Sequence, residues 1–272
     1  MSLITITRGM GCGGEKIAAI VAEKLKVDLF DDIRLQEEAI KMGVPSDDLK
    51  GLDEKAPGFF DLLFGQNPEV YKDILESIIF GVAKKGEGVI IGHGSHFLLR
   101  DFNCALHVHL TASESFRVQQ VMKERGLEQD IAKKLINKSD HGRRAFLRYA
   151  FNLDWNDISI YDIVINPEKI GIEKSANLIL EAAGSQTVKE CSLTALESMN
   201  RLSLAKKIEA ALAKNSISQQ NYHVEISGDG IAMVIGFTYS KDEKERLINT
   251  VKKVPGVNEV DSRIAVISPH VA

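Results

Sequence analysis

Short runs of apolar and β-branched residues, separated by stretches of helical periodicity, constrain this chain more than any other feature. Leu3 to Thr7, Val27 to Phe30, "GVIIG" (Gly88 to Gly92), "ALHVHL" (Ala105 to Leu110) and "YDIVIN" (Tyr161 to Asn166) each have the length of one strand. Ile17, Ile20, Val21 and Leu25 recur between the first two at the spacing of one helix face. Short apolar strands alternating with helices point to βαβ units and a parallel sheet covered on both faces, so the first part of the chain reads as α/β. The chain has 272 residues, enough for a medium domain of this kind plus a small one.

The turn after the first strand, "TRGMGCGGEKIA" (Thr7 to Ala18), joins strand to helix through glycines. Glycines let a backbone approach an anion closely, and the amides and dipole of a helix N-terminus favour negative charge there. The full phosphate-loop pattern GxxxxGK[ST] is incomplete in either register. Counting from Gly9 to Gly14 puts Glu15 at the lysine position and Lys16 at the hydroxyl position, while the alternative puts Gly14 where lysine belongs. Two readings stay open: a cradle built from Arg8, Gly11, Cys12, Gly13, Gly14, Glu15 and Lys16, or a close turn with no ligand.

Between the last two strands lies a polar excursion, Ser113 to Ser159, longer than a crossover needs and a candidate lid. Its segment "KSDHGRRAFLRYAFNLDW", if helical, puts Arg144 and Arg148 on one face at i,i+4, with Asp140 a turn before, Arg143 flanking, and Phe146, Tyr149 and Ala150 on the apolar side. Guanidiniums fork onto two oxygens and stay charged, which suits a transferring phosphoryl group; a solvated basic face is the plainer alternative. His93 and His96 follow a strand directly, where loops at the carboxyl ends of parallel strands face a ligand crevice, and H-x-x-H without a third ligand is weak as a metal site. His107 and His109 share one strand face. "DLFDD" ends a strand in Asp31 and Asp32, which with Arg34 nearby are candidates for holding an acceptor or a magnesium water, or for capping the next helix. Trp155 reads as a packing anchor.

Helical patterning between Arg34 and Lys84 breaks at Pro45, Pro57-Gly58 and Pro68. After Leu178 to Ala183 the polar "GSQTVKECS" reads as a linker or a continuing helix, and the pattern restarts: helix Leu204 to Leu212, strands "YHVEI" and "GIAMVIGFT" around "SGDG", helix Asp242 to Val254, strand "SRIAVI". That gives a small α+β module, with boundaries at 1–184 and 200–268. A net charge of −4 with interspersed signs argues against a general nucleic-acid or membrane surface. Three dispersed cysteines, Cys12, Cys104 and Cys191, suit free thiols in a reducing, cytoplasmic setting. No apolar run approaches the length of a membrane span or a signal segment.

In this order the pieces resemble the cytidylate kinase-like family of nucleoside monophosphate kinases, over roughly Leu3 to Ala183. The residues that carry the resemblance are "ITITRGMGCGGEKIA", "LFDD", "VIIGHGSHFLLRD", "HVHLTASESFRVQQVMKERG", "SDHGRRAFLRYAFNLDW" and "YDIVINPEKIG". It implies a kinase-like, five-stranded parallel sheet with helices on both faces, transfer of the ATP γ-phosphoryl group with Mg2+, and a nucleoside monophosphate or similar acceptor. Relatives of this branch also lack the loop lysine. Asp140, Arg143 and Arg117 match positions that contact phosphate, whereas His93 stands where an arginine is expected to clasp the acceptor and cannot fork as arginine does. The tail Leu204 to Val266 resembles a BON domain, which implies an interaction element for a protein partner or a second copy. A rival expectation is a non-catalytic nucleotide sensor with a degenerate loop; a vestigial scaffold is a third.

Overall fold

The computed structural model describes residues 2–41, 68–189, 193–217, 219–228 and 230–267. Pro45, Pro57-Gly58 and Cys191 lie outside them.

Strands β1 (Leu3–Arg8), β2 (Leu29–Phe30), β3 (Gly88–Ile91), β4 (Ala105–Leu110) and β5 (Ile163–Ile165) form one sheet in the order β2-β3-β1-β4-β5. Every pairing in it is parallel. The crossovers are α1 (Gly14–Leu25), α2 (Asp32–Lys41), α3 (Pro68–Ala83), the single turn α4 (Ser95–Leu98) and the pair α5 (Glu114–Arg125) and α6 (Gln129–Phe151), and α7 (Pro167–Ala183) follows the last strand. Pro68 opens α3, where its missing amide costs nothing. The excursion is thus a helical hairpin.

Alternate residues of β1 face opposite ways, and two apolar layers result. Ile4 and Ile6 pack with Ile17, Val21, Val108 and Ile179 on the α1/α7 side. Leu3 packs with Phe30, Leu75, Ile78 and Ile79 on the α3 side. Both faces of the sheet are covered, as the apolar strands imply. On the α3 side the remaining β1 positions are Thr5 and Thr7, opposite His107 and His109 of β4, so a polar strip runs toward the carboxyl ends of the central strands.

The C-terminal module pairs β6 (Tyr222–Ser227) antiparallel with β7 (Ile231–Thr238), and β7 parallel with β8 (Glu259–Val266), against α10 (Lys241–Lys252). After α8 (Gln186–Lys189), the helix α9 (Leu193–Lys214) runs without a break from one module into the other. Its Met199 belongs to the α3-side core, and its Ile208 and Leu212 to the core of the small sheet. The helix expected at Leu204 to Leu212 is therefore the second half of a longer one.

The expectation of free thiols fails at Cys104, which is disulfide-bonded, while Cys12 is a buried free thiol.

Candidate active site

β1 lies between β3 and β4, and the chain crosses to opposite sides of it, so a crevice opens beyond its carboxyl end. The glycine turn follows β1 at that end and leads into α1. Gly11 and Gly13 have φ values of 82° and 75°, and Gly13 stands as the N-terminal cap of α1 with no side-chain cap bond. The amides of Gly13, Gly14 and Lys16 meet no acceptor among the described residues, the pattern of donors that anions use at helix N-termini. Cys12 departs from the expected cradle. Its amide donates to Gly9 O at 3.3 Å, closing the turn, and its side chain enters the core, where burial pushes the thiol pKa up.

Close packing explains Gly11, where a Cβ would stand 2.6 Å from Arg117 O; at Gly13 the left-handed backbone is the constraint, since a Cβ there would meet only the movable end of the Ile172 side chain. The helical hairpin rests on the turn at this point through Arg117. Its Nε donates to Met10 O at 2.7 Å, and its Nη2 donates to both Asp140 oxygens at 2.8 Å. One guanidinium thereby ties turn, α5 and α6 together, with both members of the ion pair nearly buried. Three residues on from Asp140, the buried Arg143 accompanies Arg8, His93 and Gly92 around a cavity of about 20 Å3, room for about one water. Arg143 Nη1 also donates to Ser139 Oγ at 2.8 Å, and Arg8 Nη2 donates to Glu15 Oε1 at 3.2 Å.

The remaining candidates divide between this cluster and the surface. Asp32 Oδ1 meets His93 Nε2 at 2.8 Å in a buried pair. His93 has φ 56° between Gly92 and Gly94, both also left-handed, a conformation that costs a non-glycine residue about 1 kcal/mol. Asp31 accepts the Arg34 amide at 2.9 Å and caps α2. The Arg34 side chain pairs with Glu37, Glu38 and Asp28 on the surface, and Lys16 pairs with Glu124 at 2.6 Å, also on the surface. Arg144 and Arg148 share a face of α6, as their spacing implies, and with Asn152, Asp154 and Trp155 line a separate cavity of about 320 Å3. Arg144 lies 5.6 Å from the centre of the Trp155 ring.

A network beside the site links residues that sequence reasoning kept apart. Thr7 Oγ1 meets His96 Nδ1 at 3.1 Å, Tyr161 Oη meets His96 Nε2 at 3.4 Å, and Tyr161 stacks on both His96 and His109. Thr5 Oγ1 meets His107 Nδ1 at 2.8 Å. Burial holds the pKa values of His107 and His109 below the ordinary 6.5, and it raises that of Tyr161. The available signal was positional, since Thr7, His96 and His109 all stand at or beyond the ends of β1, β3 and β4.

Comparison with known proteins agrees with this geometry. A proteinfamily profile described as the cytidylate kinase-like family matches residues 3–169, and one for the BON domain matches residues 201–268. A protein of Pyrobaculum islandicum named cytidylate kinase is 25% identical over 183 residues, covering 66% of this chain and 92% of the relative. A cytidylate kinase of Methanocaldococcus jannaschii is 26% identical over 186 residues, covering 66% and 96%. The crystal structure of an uncharacterized protein from Eubacterium ventriosum superposes with a TM-score of 0.54 at 21% identity, covering 68% of this chain and 99% of that one. A glycine turn locked to a two-helix excursion, on a parallel sheet with β1 at its centre, is the arrangement the family match spans: the chain belongs to the cytidylate kinase-like family, and a BON domain follows.

Proposed function

We propose that the first module transfers the γ-phosphoryl group of ATP to a nucleoside monophosphate. The observation that supports this best is the Arg117 bridge, which ties the glycine turn to α6, the helix whose Arg143 lines a small cavity with Arg8. Gly13, Gly14 and Lys16 amides would hold the donor phosphates, and Arg8 and Arg143 would offset the charge that develops on the transferring group. Such catalysis is positioning and electrostatics, with no covalent intermediate.

Among the described residues no three His, Cys, Asp or Glu side chains converge as a metal site. Magnesium held chiefly by nucleotide phosphates and water suits this protein, as it does kinase sites generally. Arg143 lines a cavity of about 20 Å3 with Arg8, and movement of α6 would let it close over bound substrates. The larger cavity beside Arg144, Arg148 and Trp155 has room for the rest of an acceptor. His93, engaged with Asp32, is a poor anion clamp, so acceptor phosphate contact falls to the arginines of α6. Asp31, Asp32 and Arg34 then act by shaping the floor and α2 rather than by touching substrate.

ATP as donor places the reaction in the cytoplasm, although the Cys104 disulfide is unusual there. No helix among the described residues is long and apolar enough to cross a membrane. The BON domain serves as an interaction or regulatory element for a protein partner or a second copy. Magnesium-dependent ADP formation from ATP, measured with CMP, dCMP, UMP and AMP in turn, tests the assignment. Turnover with at least one acceptor supports it; ATP binding with no turnover on any of them would instead establish a sensor.

A further inference from the structure

Two consecutive lysines of α9 face opposite electrostatic surroundings. Lys206 lies against three carboxylates, Glu209 at 2.7 Å, Glu76 at 2.9 Å and Asp73 at 3.5 Å. Burial alone would lower its pKa, but Glu209 and Glu76 overcome that and raise it. About 100° further round the helix, Lys207 has no carboxylate partner among the described residues. It is half-buried, and the charge acting on it is that of another lysine, Lys84, just beyond the end of α3. Burial first and then Lys84 hold its pKa down. Lys84 Nζ donates to Asn200 Oδ1 at 3.3 Å and forms no ion pair among the described residues.

Both ammonium groups border a cavity of about 250 Å3 where the two modules meet. The kinase-like module supplies Lys84; α9 supplies Asn200, Ser203 and Lys207; the small domain supplies Gly256 and Asn258. Like charges brought together without a counter-charge, around a space of several water volumes, call for an anion. We propose that this junction binds a small phosphorylated molecule, its phosphate held between Lys84 and Lys207 and the rest lying against the Gly256 turn. Occupancy joins three elements from two modules. The site is independent of the glycine turn, because Lys84 and Lys207 line neither that crevice nor the cavity of Arg144 and Arg148.

Side-chain NMR of lysine in the full chain reads this site directly, with the Lys207 signal assigned by its loss in Lys207→Gln. Inorganic phosphate and glycerol 3-phosphate are the probes, with chloride at equal ionic strength as control. The Lys207 signal shifts saturably with the phosphate probes and not with chloride, its titration midpoint moves up when they are bound, and Lys84→Gln weakens binding on the order of tenfold. An unchanged Lys207 signal, an equal response to chloride, or equal affinity in folded Lys84→Gln, checked by an unaltered thermal transition, overturns the proposal.

Discussion

Arg117 does at one residue what the missing loop lysine does not. It brings a permanent charge to the turn and uses its Nε and Nη2 donors on Met10 O and Asp140, so it fixes geometry there. Removing one partner of a pair this buried leaves the other uncompensated, at a cost of about 3 to 5 kcal/mol. Arg117→Gln and Asp140→Asn are expected to lower thermal stability and to raise KM for ATP, with the double variant less impaired than the sum of the singles. Additive losses in a double-mutant cycle would show that the pair does not couple α5 to α6. Arg143→Gln is expected to depress kcat by about 100-fold with a small change in Tm; a kcat like the parent's would remove it from the proposed chemistry. At His109 the folded-state pKa lies below 6.5 through burial, so the unfolded chain binds more protons as pH falls. The stability tied to that neutral ring is complete above pH 6.5 and is lost as pH falls from there toward the folded-state value. Tm should therefore drop more steeply between pH 7 and 5 in the parent than in His109→Phe, and equal slopes would contradict the role given to burial.

Elements were legible in the sequence where one local pattern sufficed. The five strands follow from apolar runs, and the Arg144/Arg148 face from the i,i+4 rule, while the polar excursion was legible as such but not as a pair of helices. Less was legible where partners come from distant segments. Nothing local says that Asp32 takes up His93, 61 residues away, or that Arg117 reaches Met10 across 107 residues. Cys12 shows the opposite limit: a position inside a glycine turn suggests a free amide, but a tight turn needs one of its own amides to close. The hairpin element carries its own expectation. Because Arg143 of α6 lines the small cavity with Arg8, closure over substrate should slow hydrogen exchange in α6 when ATP and acceptor are bound together, and identical exchange would argue against that closure.

At the scale of the molecule, α9 contributes to the cores of both modules. Its first half packs on α3, where Ser203 Oγ donates to Ser77 O at 3.0 Å, and its second half completes the small domain's core. Sequence patterning placed a helix only over Leu204 to Leu212, because α9 faces different partners in its two halves and no single stripe persists. Leu202→Pro, at an exposed position, is expected to break α9 at a cost of about 3 kcal/mol and to split one calorimetric transition into two. A single transition would mean the modules are held together elsewhere. Above these particulars stands the claim that turn and hairpin form one phosphoryl-transfer site. Phosphorus NMR of the full chain with Mg2+, ATP and CMP tests it most directly: the account predicts that the ATP γ-signal decays as the β-signal of a nucleoside diphosphate other than ADP grows, whereas bound but unconsumed ATP in the presence of CMP and each alternative nucleoside monophosphate would contradict it.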